Sequence, residues 1–173
     1  MDKRLPSSDR EYLPHSSGCF LCGEENRSGV RARFFVEGDE VLGRVVLPPH
    51  LNGYRDIAHG GVVSALLDET MGWAATVFGK LHPMYVTGEL TVKFLSPVAV
   101  GVEVEVRSRL VEDAGRLAYC EGEILCGGKV CARARGKFVP MSPEGTAGVI
   151  PYLRFEGCRR FRAIFDAYRG AKG

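Results

Sequence analysis

The stretch from His59 to about Phe78 constrains the fold more than any other, because it is the one long helical run in the middle of the chain and has almost no polar surface. At 100° per residue, Val62, Val63, Leu66, Leu67, Thr70, Trp73, Ala74, Val77 and Phe78 fall on one broad face. Opposite them gather Gly61, Ser64, Ala65, Asp68, Gly72 and Ala75, all small apart from the acid, with Met71 at their edge. Asp68 and Glu69 are its only charges. A helix of this kind is covered on both sides, so the rest of the chain has to be arranged around it.

The flanking segments say what covers it. Val30 to Val36 and Glu40 to Leu47 are β-rich runs separated by Glu37-Gly38-Asp39, a hairpin signal. Pro48 to Ala58, with two prolines and an Asn-Gly pair, reads as a loop. After the helix, Met84 to Val98 is a long strand interrupted by Gly88, and Val102 to Val111, Leu117 to Leu125 and Lys129 to Val139 are three more. Their turns fall at Asp113-Ala114-Gly115 and Gly127-Gly128. The order predicts an α+β fold, an antiparallel sheet of about six strands wrapped around one helix. Residues 1–18, with Pro6, Pro14 and several serines, are expected to form an arm or a capping segment outside the core; residues 19–140 form the domain. In the extension 141–173, Leu153, Phe155, Phe161, Ile164, Phe165 and Tyr168 predict a C-terminal helix.

A single domain accounts for 173 residues with 45% hydrophobic side chains. The net charge of +2 gives no reason to expect nucleic acid or a membrane surface as a partner. The N-terminus has no apolar core of a signal peptide, and no apolar run approaches the roughly 20 residues that span a bilayer. A cytoplasmic protein is expected, with its six cysteines as free thiols. Cys19-x-x-Cys22 has no second Cys pair and no Cys/His pair at metal spacing, and His15 alone does not complete a site. The pair reads as structural, and no metal is expected.

The helix start carries chemistry. Gly60 and Gly61 leave the first backbone N–H groups unobstructed at the positive end of the helix dipole, which suits a carbonyl oxygen that becomes an oxyanion. Burying a carboxylate costs several kcal/mol unless it is paired or protonated. Asp68, in the middle of the small-residue stripe, is therefore a better candidate for a functional acid than Glu69 at its border. Eight residues at 1.5 Å each put Gly60 and Asp68 roughly 12 Å apart along the axis. They reach one carbonyl carbon only if the acid comes from a second, antiparallel copy of the helix across a two-fold axis, with Gly72 and Ala75 permitting close approach.

The run His59-Gly60-Gly61-Val-Val-Ser-Ala-Leu-Leu-Asp68-Glu69-Thr-Met-Gly72-Trp-Ala resembles the helix motif of hotdog-fold acyl-CoA thioesterases of the phenylacetic-acid-degradation type. Cys19-Phe-Leu-Cys22-Gly23 followed by Asn26 and Gly29, and Thr87-Gly88-Glu-Leu-Thr-Val-Lys93-Phe94-Leu-Ser-Pro97-Val98, resemble other parts of those proteins, so the similarity spans about residues 19–139. The resemblance implies a hotdog fold and hydrolysis of an acyl-CoA. Asp68 would be nucleophile or general base, Gly60 would donate its N–H to the thioester oxygen, and His59 would arrange the loop, with Gly61 as a further positioning residue. Many such proteins carry Asn or Gln six residues before the His; position 53 here is Gly, and Asn52 stands one place earlier.

The substrate implied is an acyl-CoA, with no cofactor beyond it, and the partner is a second copy, as a homodimer or a dimer of dimers. Arg133, Arg135 and Lys137 are candidates for the CoA phosphates, together with Arg107 and Arg109, although their alternation fits a solvated sheet face equally. Two other functions compete. A hotdog hydratase or dehydratase would pair a His with an acid on an enoyl or hydroxyacyl thioester, and its known motifs are absent. A non-catalytic acyl-CoA-binding protein would need an output module, and no such pattern appears.

Overall fold

The computed structural model describes residues 11–81 and 83–168. Its centre is a six-stranded antiparallel sheet and one long helix, as the order of elements predicts. In chain order the strands are β1 (His15–Ser16), β2 (Phe34–Glu37), β3 (Glu40–Val46), β4 (Asn52–Tyr54) and β5 (Ile57–Ala58). Helix α1 (Gly60–Phe78) follows, then β6 (Tyr85–Phe94), β7 (Glu103–Asp113), β8 (Ala118–Cys126) and β9 (Lys129–Pro140). The chain continues through α2 (Pro143–Val149), β10 (Leu153–Arg154) and α3 (Arg162–Asp166). The large sheet has the order β2-β3-β7-β8-β9-β6, so β6, the first strand after the helix, lies at an edge.

Alternation along the strands makes one face of the sheet apolar, and α1 lies on it, touching β3, β6, β7, β8 and β9. Val104, Val106, Cys120, Ile124, Ala132 and Phe138 are buried there against Leu66, Leu67 and Met71 of the helix. Each large side chain buried in this way contributes about 1.5–3 kcal/mol. Two glycines set how closely the helix approaches. A Cβ on Gly122 of β8 would stand 3.2 Å from Leu67 Cδ2, and one on Gly136 of β9 would stand 2.5 Å from Phe138 Cε2. Met71 and Ala75 are fully buried, so the apolar face is broader than the residue spacing predicts.

Three segments depart from expectation. Residues 11–18 are not an arm outside the core: Leu13 and His15 are buried, β1 pairs with β10, and Leu13 N–H donates to Phe34 O at 2.8 Å. Residues 1–10 of the expected arm lie outside the described residues. The segment 48–58 is a loop that folds back on itself, β4 pairing with β5. The extension has no single C-terminal helix, because Pro151 and Gly157, the latter at φ +78°, interrupt the chain. Among the described residues of the extension, α-helix is confined to α2 and α3, and Phe165 of α3 seats edge-on against Trp73 at 6.4 Å. No described helix is long and apolar enough to cross a membrane.

Candidate active site

Helix α1 begins with an accounting of its free backbone donors. His59 is the N-cap in extended geometry (φ −61°, ψ 136°), and its side-chain Nδ1 accepts the Gly61 N–H at 2.9 Å. Accepting there requires the tautomer with its proton on Nε2. The N–H groups of Val62 and Val63 both point to His59 O, at 2.9 and 3.2 Å. Among the described residues, the N–H of Gly60 alone in this first turn has no acceptor. His59 is thus a capping residue that holds the turn, and Gly61, expected as a second positioning donor, is already occupied by it.

Gly60 borders a cleft of about 660 Å³ walled by Tyr54, Ile57, His59, Val63, Phe94 and Pro97. The cleft is mostly apolar, as pockets for small ligands generally are. Asn52 is exposed on β4 and is not among the residues lining it; Gly53 is. A Cβ at position 53 would come within 3.1 Å of the His59 Cα, so the backbone of the capping residue fills the space that a side chain six residues earlier would occupy.

Asp68 lies two turns further along α1, half-buried, and is not among the residues lining the cleft. The Thr87 hydroxyl on β6 donates to Asp68 Oδ1 at 2.7 Å. A register shift puts it there. Thr87 faces Phe138 across the ladder while Glu89 faces Lys137, so Gly88 is an extra residue and Thr87 turns to the helix side instead of continuing the outward set Glu89, Thr91 and Lys93. In the sequence Gly88 interrupts the strand pattern, the available signal of such a bulge, while nothing local marks Thr87 as facing the helix.

The adjacent acid has different surroundings. Burial pushes the Glu69 carboxyl up to about 7, with the charge of Cys19 adding to the effect, while hydrogen bonds with Cys22 and Trp73 oppose it. The hydrogen bond with Cys22 holds the Cys19 thiol low, at about 5, and that same sharing pushes Cys22 up. Sequence spacing placed Glu69 at the border of the helix face and the cysteines in a structural turn; their meeting was not predicted.

The basic strand residues lie on the outer face of the sheet, away from α1. Arg133 and Arg107 share Glu123, at 2.8 and 2.9 Å, and Arg135 and Arg109 share Glu121, at 2.9 and 3.2 Å. Lys137 pairs with Glu89 at 2.5 Å. They border a broad depression of about 1130 Å³ that meets the Gly60 cleft at Leu95. Every one of these five cations is matched to a carboxylate.

The site thus consists of a cleft at a helix N-terminus, one spare N–H donor and an acid further along the same helix. Residues 56–132 match the model of the thioesterase superfamily. The resemblance carried by the helix motif stands, and the six-stranded sheet around one long helix is the hotdog fold of such proteins. A thioesterase superfamily protein of known crystal structure superimposes with a TM-score of 0.64 at 28% identity, over 71% of this chain and 60% of that one. The PaaI protein from the phenylacetic acid degradation operon of E. coli gives a TM-score of 0.60 at 18% identity, over 68% of this chain and 83% of that one, a likeness of fold alone. An uncharacterised protein of Schizosaccharomyces pombe is 31% identical over 98 residues, 53% of this chain. The chain spans 55% of that relative's length.

Proposed function

We propose that the protein is an acyl-CoA thioesterase whose active site forms between two copies of the chain. The observation that carries the reading is the unpaired Gly60 N–H at the positive end of α1, beside a mostly apolar cleft. As a nucleophile adds to the thioester carbonyl, charge grows on its oxygen, and a preorganised backbone donor at a helix terminus stabilises that charge. Asp68 is the acid that acts with it, either by taking a proton from water as it attacks or by attacking through its own carboxylate to give an anhydride that water then opens. Both routes give the free acid and CoA thiol. Thr87 orients Asp68 through one carboxylate oxygen and leaves the other available.

The axial distance makes the site composite. Asp68 and Gly60 of one helix are roughly 12 Å apart, so the Gly60 of one copy works with the Asp68 of the other. The surface of a single chain supports a partner. β6 is an edge strand ten residues long, it is largely exposed, and Val86 and Phe94 on it are 51% and 57% exposed. A long, partly apolar edge pairs readily with a second copy. The reaction needs no cofactor, and the free cysteines suit a reducing compartment such as the cytoplasm.

The deciding experiment measures thiol release from a panel of acyl-CoAs of varied chain length and aromaticity, for the wild type and Asp68→Asn. Turnover of at least one substrate, with kcat reduced by about 10² or more in the variant, is expected. Unchanged turnover in Asp68→Asn overturns the catalytic assignment, and no turnover of any acyl-CoA by the wild type overturns the enzymatic reading.

A further inference from the structure

Cys19, Cys22 and Glu69 form a cluster that thioester hydrolysis does not use. The two sulfur atoms and a Glu69 carboxylate oxygen all lie within 4.8 Å of one another. Two donors come from a turn near the N-terminus and the third from the middle of α1, so the cluster exists only in the folded chain.

The turn is shaped around its first sulfur. Cys19 Sγ accepts the Leu21 N–H at 3.3 Å, and Gly23 N–H closes the turn on Cys19 O at 3.0 Å. A Cβ at position 23 would stand 2.4 Å from Ser17 O and 2.5 Å from Cys19 O, so glycine is required directly after Cys22. Amide donors aimed at a sulfur favour the thiolate, the form that binds metals. The helix side supplies the half-buried Glu69 carboxylate, one residue beyond Asp68. Cys22 is buried and Cys19 and Glu69 are half-buried, and gathering three acidic groups in such a place is costly unless positive charge joins them. On the same N-terminal segment, His15 is 4% exposed and its buried Nδ1 has no hydrogen-bond partner.

We propose that Cys19, Cys22 and Glu69 bind one divalent metal ion with affinity for sulfur, of the zinc class. Two thiolates and a carboxylate are a donor set for such an ion, and the fourth tetrahedral position falls to a water, since His15 is paired through Nε2 with Glu24 at 2.8 Å and lies outside the cluster. On binding, the thiols give up their protons to solvent and two sulfur–metal bonds form, with no change of oxidation state. A disulfide between the cysteines is the competing chemistry, and it would give the Glu69 carboxylate nothing to hold. The ion clips the N-terminal segment to α1 one residue beyond Asp68. Its role is to fix the helix, and it stays apart from the thioester.

The test uses the full chain, stripped with a chelator and retitrated with Zn²⁺ or Co²⁺, with bound metal, absorption and thermal midpoint recorded. One equivalent per chain, a thiolate-to-cobalt charge-transfer band and a raised midpoint are expected. Glu69→Gln, close in shape to the native residue, weakens metal binding about tenfold or more, Cys19→Ser removes the charge-transfer band, and Cys126→Ser retains it. Sub-stoichiometric metal with no cobalt band in the wild type overturns the proposal. So does a Cys19→Ser protein, folded by circular dichroism, with an unchanged band, or a Cys19–Cys22 disulfide found by mass spectrometry in protein kept under reducing conditions.

Discussion

Replacing Gly60 by proline removes the proposed oxyanion donor while leaving the helix intact, because position 60 is the first residue of α1. Proline is favoured there: its ring fixes φ near the helical value, and the N–H it lacks has no acceptor within the helix. The residue before a proline must be extended, and His59 already is, at φ −61° and ψ 136°. The position has room for a β-carbon, since one built on Gly60 meets the Phe94 ring at 3.5 Å, an ordinary contact. Loss of unfolded-state freedom should leave stability unchanged or raise it by about 0.4–1 kcal/mol. Activity should fall by about 10²–10³ in kcat, the usual effect of losing one oxyanion donor. Gly60→Ala keeps the N–H and is expected to keep most of the activity. Mixing Gly60→Pro chains with Asp68→Asn chains under exchange conditions then tests the composite site. Half of the dimers are mixed, each has one intact site, and thiol release should recover to about a quarter of the wild-type rate. Full activity in Gly60→Pro refutes the donor assignment. A mixture no more active than its components refutes the two-chain site.

Thr87→Val removes the hydroxyl that holds Asp68 and should lower kcat about tenfold with little change in KM; an unchanged kcat would mean that Asp68 needs no such support. Gly136→Ala forces the fully buried Phe138 ring to move from 2.5 Å and should cost about 1–3 kcal/mol, read as a thermal midpoint lowered by several degrees. Arg133→Ala and Arg135→Ala, each removing one arm of an exposed ion pair, should change stability by less than about 1 kcal/mol and leave KM for acyl-CoA within about twofold; a large rise in KM would place the CoA phosphates on the outer sheet face. The Arg107 and Arg133 guanidinium groups hold the Glu123 carboxyl below its ordinary range. Its stabilising effect is therefore present above that range and lost as pH falls through the depressed value, so Glu123→Gln should flatten the acid side of a stability–pH curve measured by denaturant unfolding.

The sequence made the central elements readable because each carries its own period: α1 begins within a residue of its expected start, and the six strands of the large sheet overlap the expected runs, although β2 begins four residues after Val30 and β6 ends four before Val98. The capping role of His59 was open from the sequence, and the structure decides it through the Gly61 N–H. What local pattern could not show depends on pairing between distant segments. The bulge that turns Thr87 to Asp68 depends on the register of β6 against β9, and the Cys19–Cys22–Glu69 cluster joins a loop to a helix some 47 residues away. The C-terminal residues Phe161 and Phe165 have the apolar spacing of a helix, yet they are buried on a chain broken by Pro151 and Gly157. Periodicity marked them as core without fixing the backbone that delivers them.

The two neighbouring acids of α1 show how one helix serves separate tasks. Successive residues point 100° apart, so adjacent carboxylates meet different neighbours although their α-carbons are only one peptide unit apart. Asp68 meets a hydroxyl from the edge strand on the side where a second copy can approach, and Glu69 meets the two thiols of the N-terminal turn. Exchanging their roles would require rotating the helix, which Leu66, Leu67 and Met71, all fully buried against the sheet, oppose. The sheet therefore sets the direction of both acids, and the glycines at 122 and 136 set the depth at which the helix holds them.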